Sequence, residues 1–97
     1  MSAYILVEVE IKDPVRYAEY VQLVPATLAR YGGRFLVRGG PAELLEGAPE
    51  PKRMVILEFE SVARAKEWWN SEEYRAPKAL RQSASNARII VMEGYGG

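Results

Sequence analysis

Tyr17 and Tyr20 stand three residues apart in a stretch of helical periodicity, so one turn of helix would offer two phenol hydroxyls to the same cavity. Trp69 and Tyr74 flank an Asn70-Ser71 break, where they could wall a small planar ligand with aromatic surface. Arg34, Arg38 and Arg81 carry the planar fork that grips a carboxylate bidentately. Tyr17, Tyr20, Arg34, Arg38, Trp69, Tyr74 and Arg81 are therefore the candidate ligand-binding residues. An aromatic cage with a cation at its edge suits a small carboxylate or phenol better than a sugar or a nucleotide. Glu58 is the candidate general base, because a second carboxylate nearby, such as Glu8, would raise its pKa. Each residue also has a plainer role. The four rings could simply fill a thin core, and the arginines could pair with Glu8 and Glu58 across strands.

What is missing narrows the chemistry. Without cysteine there is no disulfide, thiolate nucleophile or cysteine metal site. Without histidine there is no Ser-His-Asp triad and no imidazole ligand for a metal or haem. No metal and no cofactor are expected, and proton transfer would fall to a carboxylate, Tyr or Lys. Thirteen basic and thirteen acidic residues cancel, which does not make the basic footprint of a nucleic-acid binder. The apolar runs are too short to span a membrane, and no basic stretch precedes an apolar one at the N-terminus, so a cytoplasmic location is expected. Neither glycine pair, Gly32-Gly33 or Gly39-Gly40, has the strand-turn-helix setting of a phosphate loop; both read as turn or bulge residues.

The elements that must position these residues emerge from periodicity. Ninety-seven residues predict one domain, 1–97, whose core is thin enough to gain from association. Tyr4 to Ile11 alternates, with Ile5, Val7, Val9 and Ile11 on one face. Asp13-Pro14 opens a helix, and Pro25 is expected to kink it or end its first half. Arg34 to Arg38 reads as a strand with Phe35 and Val37 inward and Arg34, Leu36 and Arg38 outward, continued after a Gly39-Gly40-Pro41 bend by Glu43 to Glu46. Met54 to Glu60 alternates again. Ser61 caps a Trp-Trp helix, Ser71 can cap another turn, and Pro77 suits the start of a short last helix. Ser83 to Asn86 reads as a polar loop before a closing strand, Arg88 to Glu93.

This is β-α-β-β-α-β. Right-handed crossovers give an α+β fold of ferredoxin-like type, an antiparallel four-stranded sheet of order 4-1-3-2 with its helices on one face. The opposite face presents Leu6, Leu36, Met54 and Ile56 among charges, which predicts pairing with a second copy.

The run Gly32 to Gly40, then Arg53 to Phe59, then Ala65-Lys66-x-Trp68-Trp69-Asn70-Ser71-x-x-Tyr74, then Lys78-x-x-Arg81 and Ile90 to Gly94, resembles the domain-of-unknown-function family numbered 1330 over nearly the whole chain. It departs from the usual pattern at Trp69, where a Tyr is typical, and at Pro77, where a helix former is. That family is similar to the dimeric α+β barrel superfamily, whose members include cofactor-free monooxygenases and small isomerases. The resemblance implies a ferredoxin-like subunit and a homodimer, and no particular activity. Three functions compete. One is a homodimer binding a small metabolite between sheet and helices. The second is a cofactor-free, monooxygenase- or isomerase-like enzyme acting on a small aromatic or carboxylated metabolite, with Glu58, Arg34 or Arg38, and Tyr17 or Tyr20 as its only candidate groups. The third is a structural dimer with no pocket.

Overall fold

Alternation builds the sheet of the computed structural model, which describes residues 2–96. β1 (Ala3–Ile11) buries Ala3, Ile5, Val7 and Val9 and half-buries the residues between them. β3 (Arg53–Phe59) does the same with Val55, Leu57 and Phe59. With β2 (Arg34–Arg38) and β4 (Ser85–Glu93) they form one antiparallel sheet of order β2-β3-β1-β4. Read from the other edge, that is the expected 4-1-3-2.

The helices cover the Ile5-Leu57 face. α1 (Pro14–Arg30) is capped by Asp13, whose carboxylate accepts from the Arg16 amide at 3.1 Å. α2 (Val62–Trp69) is capped in the same way by Ser61, and α3 (Glu72–Ala84) by Ser71. Tyr17, Val24 and Leu28 of α1, Ala65 and Trp68 of α2, and Tyr74 and Ala84 of α3 join the inward strand residues in one core. Trp68 Nε1 donates to Thr27 Oγ1 at 3.0 Å, which satisfies the buried indole and ties α2 to α1.

The structure departs from the sequence reading at five places. Pro25 does not end the first half of α1, which runs on to Arg30. A proline there leaves the carbonyl four residues earlier without its helical donor. That carbonyl, of Val21, instead accepts from Arg38 Nη2 at 2.7 Å, so the sheet supplies the bond that the helix lacks. Pro77 likewise lies within α3, which begins at Glu72, rather than at a helix start. No loop separates α3 from β4. The Ala84 carbonyl accepts from the amides of Lys12 and Asp13 at 2.8 and 2.9 Å, and Ser85 Oγ donates to the Arg81 carbonyl at 2.7 Å, so the helix passes straight into the strand. Finally, Glu43 to Glu46 does not continue β2. Gly39, at φ +73°, closes the pairing with a bond to the Met54 carbonyl and turns the chain away, leaving Leu45 exposed to solvent.

A fifth departure matters most for the site. The β2–β3 register shifts between Phe35 and Val37: Phe35 lies opposite Leu57, Val37 opposite Ile56 and Arg38 opposite Val55. Leu36 is an extra residue, a β-bulge. Beyond it Val37 faces outward and Arg38 faces the helices, the reverse of simple alternation.

Candidate functional site

A cavity of about 30 Å³ lies between the sheet and the helices. Its walls are apolar, with Ile5, Val7, Val24, Val55, Leu57 and Trp68 among them. Its polar groups come from three tyrosines and three arginines: Tyr17, Tyr20, Tyr74, Arg38, Arg53 and Arg81.

These groups form a continuous path. The Arg53 guanidinium lies 5.5 Å from the Tyr17 ring centre, and the Tyr17 and Tyr20 rings are tilted at 5.5 Å. The Tyr20 and Tyr74 hydroxyls share a hydrogen bond of 2.8 Å, and Arg81 Nε donates to the Tyr74 hydroxyl at 3.4 Å. Burial pushes the Tyr20 hydroxyl's pKa well above its ordinary value, helped by the neighbouring Tyr74. Tyr20 is therefore a neutral hydrogen-bonding group here and not a phenolate base.

Of the seven candidate ligand-binding residues, the structure brings Tyr17, Tyr20, Arg38, Tyr74 and Arg81 to this cavity. Trp69 packs at a tilt against Tyr74 and Trp68 but walls a surface groove outside, beside Lys66, Asn70, Ile89 and Val91. Lys78 sits over its ring at 4.5 Å. Arg34 is on the other face of the sheet, where it grips Glu58 Oε1 through Nε at 2.6 Å and Nη2 at 2.5 Å. Glu58, the candidate base, is thus turned away from the cavity, and Arg34 holds its carboxyl below the usual carboxylate range. The expected Glu8–Glu58 approach does not form either. Glu8 meets Arg88 of β4 at 3.8 Å instead.

Arg34 lies directly opposite Glu58, whereas Arg38 pairs with Val55, three positions along β3, and faces the helices. A double-mutant cycle between Arg34 and Glu58 should show measurable coupling, and one between Arg38 and Glu58 a value near zero. Strong coupling of Arg38 to Glu58 in denaturant melts would mean that β2 and β3 pair in another register. Glu73, at the start of α3, is also held low, first by its own backbone amide and then by Tyr31 Oη, which donates to it at 2.8 Å. Both carboxyls have folded pKa values below their unfolded ones. They stabilise the fold above the unfolded glutamate value of about 4.3 and lose that contribution as pH falls through the folded values. Urea midpoints measured from pH 7 down to 3 should therefore fall, and Glu58→Gln should flatten the fall. An unchanged slope in that variant would disprove the linkage.

Arg53 escapes the sequence reading, which starts the strand at Met54. Carrying the alternation of Val55, Leu57 and Phe59 back one step places Arg53 inward. Trp68 reads from the sequence only as a helix residue, yet its ring stacks on Tyr74 at 4.0 Å and closes the cavity floor. Among the described residues, no three His, Cys, Asp or Glu side chains gather as a metal site would need, and no helix is long and apolar enough to cross a membrane.

Known structures share this architecture. The RPA0582 protein of unknown function from Rhodopseudomonas palustris superposes with a TM-score of 0.80 at 22% identity, covering 99% of this chain and 84% of that one. A dimeric ferredoxin-like protein of unknown function from Jannaschia sp. CCS1 gives 0.73 at 14% identity, covering 97% of this chain and 100% of that one. SnoaB, a cofactor-independent oxygenase from Streptomyces nogalater, gives 0.66 at 9% identity, covering 99% and 95%. At these identities the likeness is one of fold. No curated protein matches the chain. A sequence family described only as a domain of unknown function, DUF1330, matches residues 2–95, and this chain belongs to it.

Proposed function

We propose that this protein is a homodimer that binds a small metabolite in each subunit, between the sheet and the helices. One observation carries the reading: a largely apolar cavity in which the polar ends of tyrosines and arginines from α1, α3, β2 and β3 converge. Binding sites of small molecules have that composition, an apolar wall with a few placed polar groups. The outer sheet face supports the pairing. Leu6 and Ile56 lie opposite one another on β1 and β3, and Ile90 and Met92 extend the patch onto β4, where both are exposed. The Jannaschia protein of the same fold is itself described as dimeric.

SnoaB's cofactor-free chemistry does not carry over. A base is needed within reach of the substrate. Glu58 faces the opposite side of the sheet, and the cavity lining includes no carboxylate. Binding is tested by native mass spectrometry of the purified protein against a metabolite library, with crystal soaks of any hit. A bound small molecule whose density lies against Tyr74 and Leu57 is the expected result. A library with no hit, together with soaks that leave the cavity unchanged, would overturn the reading.

A further inference from the structure

We infer that the segment joining β2 to β3, residues 40–50, docks on a second copy of this chain, in the groove beside that copy's β4, with Leu45 in the groove's apolar half. This rests on the pairing through the outer sheet face proposed above, and it adds residues of one subunit to a surface of the other. The segment carries two leucines, three glutamates and no basic residue. Leu45 is 90% exposed, and within 40–50 only Leu44 is even half-buried. Among the described residues, no side chain of 40–50 makes a hydrogen bond or an ion pair. One exposed leucine is ordinary on a protein surface. What singles this one out is a surface of matching character on the far edge of the sheet.

That surface is a pair of hollows, each far larger than the inner cavity. One is mainly apolar, with Ile5, Ala65 and Val91, and has Lys66 at its side. The other is polar, with Arg81, Gln82 and Asn86. Both include Trp69 and Ile89, so they run together as one groove along β4. No carboxylate lines either hollow, and among the described residues Lys66 and Arg81 take part in no ion pair. An acidic segment with exposed leucine therefore meets a cationic groove with an apolar end. The charges set orientation, and the leucine supplies most of the affinity, because exposed ion pairs are weak. The strand beside the groove is itself unprotected. β4 pairs with β1 over nine residues in unbroken register, has no strand beyond it, and exposes Ile90, Val91 and Met92. The opposite edge, β2, is five residues long, bulged at Leu36 and closed by Gly39. A long, regular, apolar edge is one that another chain covers.

Geometry allows the segment to reach. When two such sheets pack on their outer faces about a twofold axis along the strands, the order β2-β3-β1-β4 of one lies over its reverse in the other. The edge at β2 then lies over the other subunit's edge at β4. Packed sheets are separated by about 10 Å, and the six residues from Gly39 to Leu45 extend to about 20 Å. Length matches too. From Val91 to Ala87 the groove follows four residue steps of β4, roughly 14 Å, and Glu43 to Gly47, free of proline, spans the same when extended.

The test exploits the absence of native cysteine, so that introduced thiols report alone. Purified Leu45→Cys is mixed with purified Val91→Cys at micromolar concentration, left to exchange subunits and mildly oxidised. A disulfide needs α-carbons within about 7 Å, so it forms only if the segment of one subunit reaches the hollow of the other. A covalent mixed dimer, identified by its mass, is the expected main product. Leu23→Cys, 48% exposed on α1, replaces Val91→Cys as the control and should cross-link far less. In the otherwise native chain, Leu45→Asp should raise the dimer dissociation constant at least about tenfold in sedimentation, since a buried leucine is lost at both docking sites. Its far-UV circular dichroism should not change. A dimer that cross-links no better through Val91→Cys than through Leu23→Cys would overturn the docking and leave the outer-face pairing standing, with the groove open to a small ligand or another protein. An unchanged dissociation constant in Leu45→Asp would overturn it as well. A wild type that sediments as a monomer would remove both readings together.

Discussion

Leu57→Ala is expected to lower stability by about 2–5 kcal/mol, the range for removing a fully buried leucine from a core that relaxes only in part. Leu57 is 2% exposed and central. It pairs with Ile5 of β1 on one side and Phe35 of β2 on the other, and it forms part of the cavity wall under the helices. Truncation would therefore merge new empty volume with volume that already exists, and a surrounding held by three strands has little freedom to close over it. In a chain of this length each kcal/mol is worth roughly 4–8 °C in melting temperature, so a fall of about 8–40 °C is expected by calorimetry. The control is Ile56→Ala, one residue away on the opposite face, measured at concentrations where both proteins are monomeric. There it should cost much less. Equal losses at the two positions would mean that the strand's faces are not distinguished by burial.

Ile56→Lys is expected to act on association and not on folding. Ile56 lies opposite Leu6 in the middle of the outer face, between the edge strands β2 and β4. In a twofold pairing the same patch meets itself, so a single substitution buries two like charges near the axis. Each would be desolvated without a partner, which costs several kcal/mol, and the dissociation constant should rise by about two orders of magnitude or more. Sedimentation at micromolar concentration should show a dimer for the wild type and a monomer for the variant, with unchanged helical content. A wild type that sediments as a monomer, or a variant that remains dimeric, would refute pairing through this face.

Much of the architecture is legible in the sequence because it rests on local signals. Period-two alternation in residues 4–11 and 54–60 identifies the two central strands, and Asp13, Ser61 and Ser71 each mark a helix start that the structure retains. The failures share one physical cause, partners distant in sequence. Pro25 reads by what it removes from its own helix, and nothing local reveals that Arg38, on a strand, replaces the bond to Val21. Pro77 reads as a helix start, which hides that α3 runs through it from Glu72 to Ala84. The Ser83–Asn86 segment looks like a loop because its residues are small and polar. The bonds that make it a helix end joined to a strand come from Lys12, Asp13 and Arg81. For the site, residue types are legible and sides are not. Tyr17, Tyr20, Tyr74 and Arg81 meet where helical spacing suggests, while Arg34, Glu58 and Trp69 lie elsewhere, because a strand's face and a ring's orientation depend on pairing that the sequence does not display.

In a strand, the side on which a residue emerges is a matter of odd and even counting. Leu36 is one unit of count. Removing it would reverse the parity of the residues after it, drawing Val37 in among the helices and sending Arg38 out onto the apolar patch around Leu6 and Ile56. The cavity would lose a cation in the same stroke that the pairing face gained one. The proposed metabolite binding and the proposed self-association, on opposite sides of a sheet one chain thick, are thereby tied to the same single residue of length, and this protein should tolerate changes of side chain at position 36 far better than a change in their number.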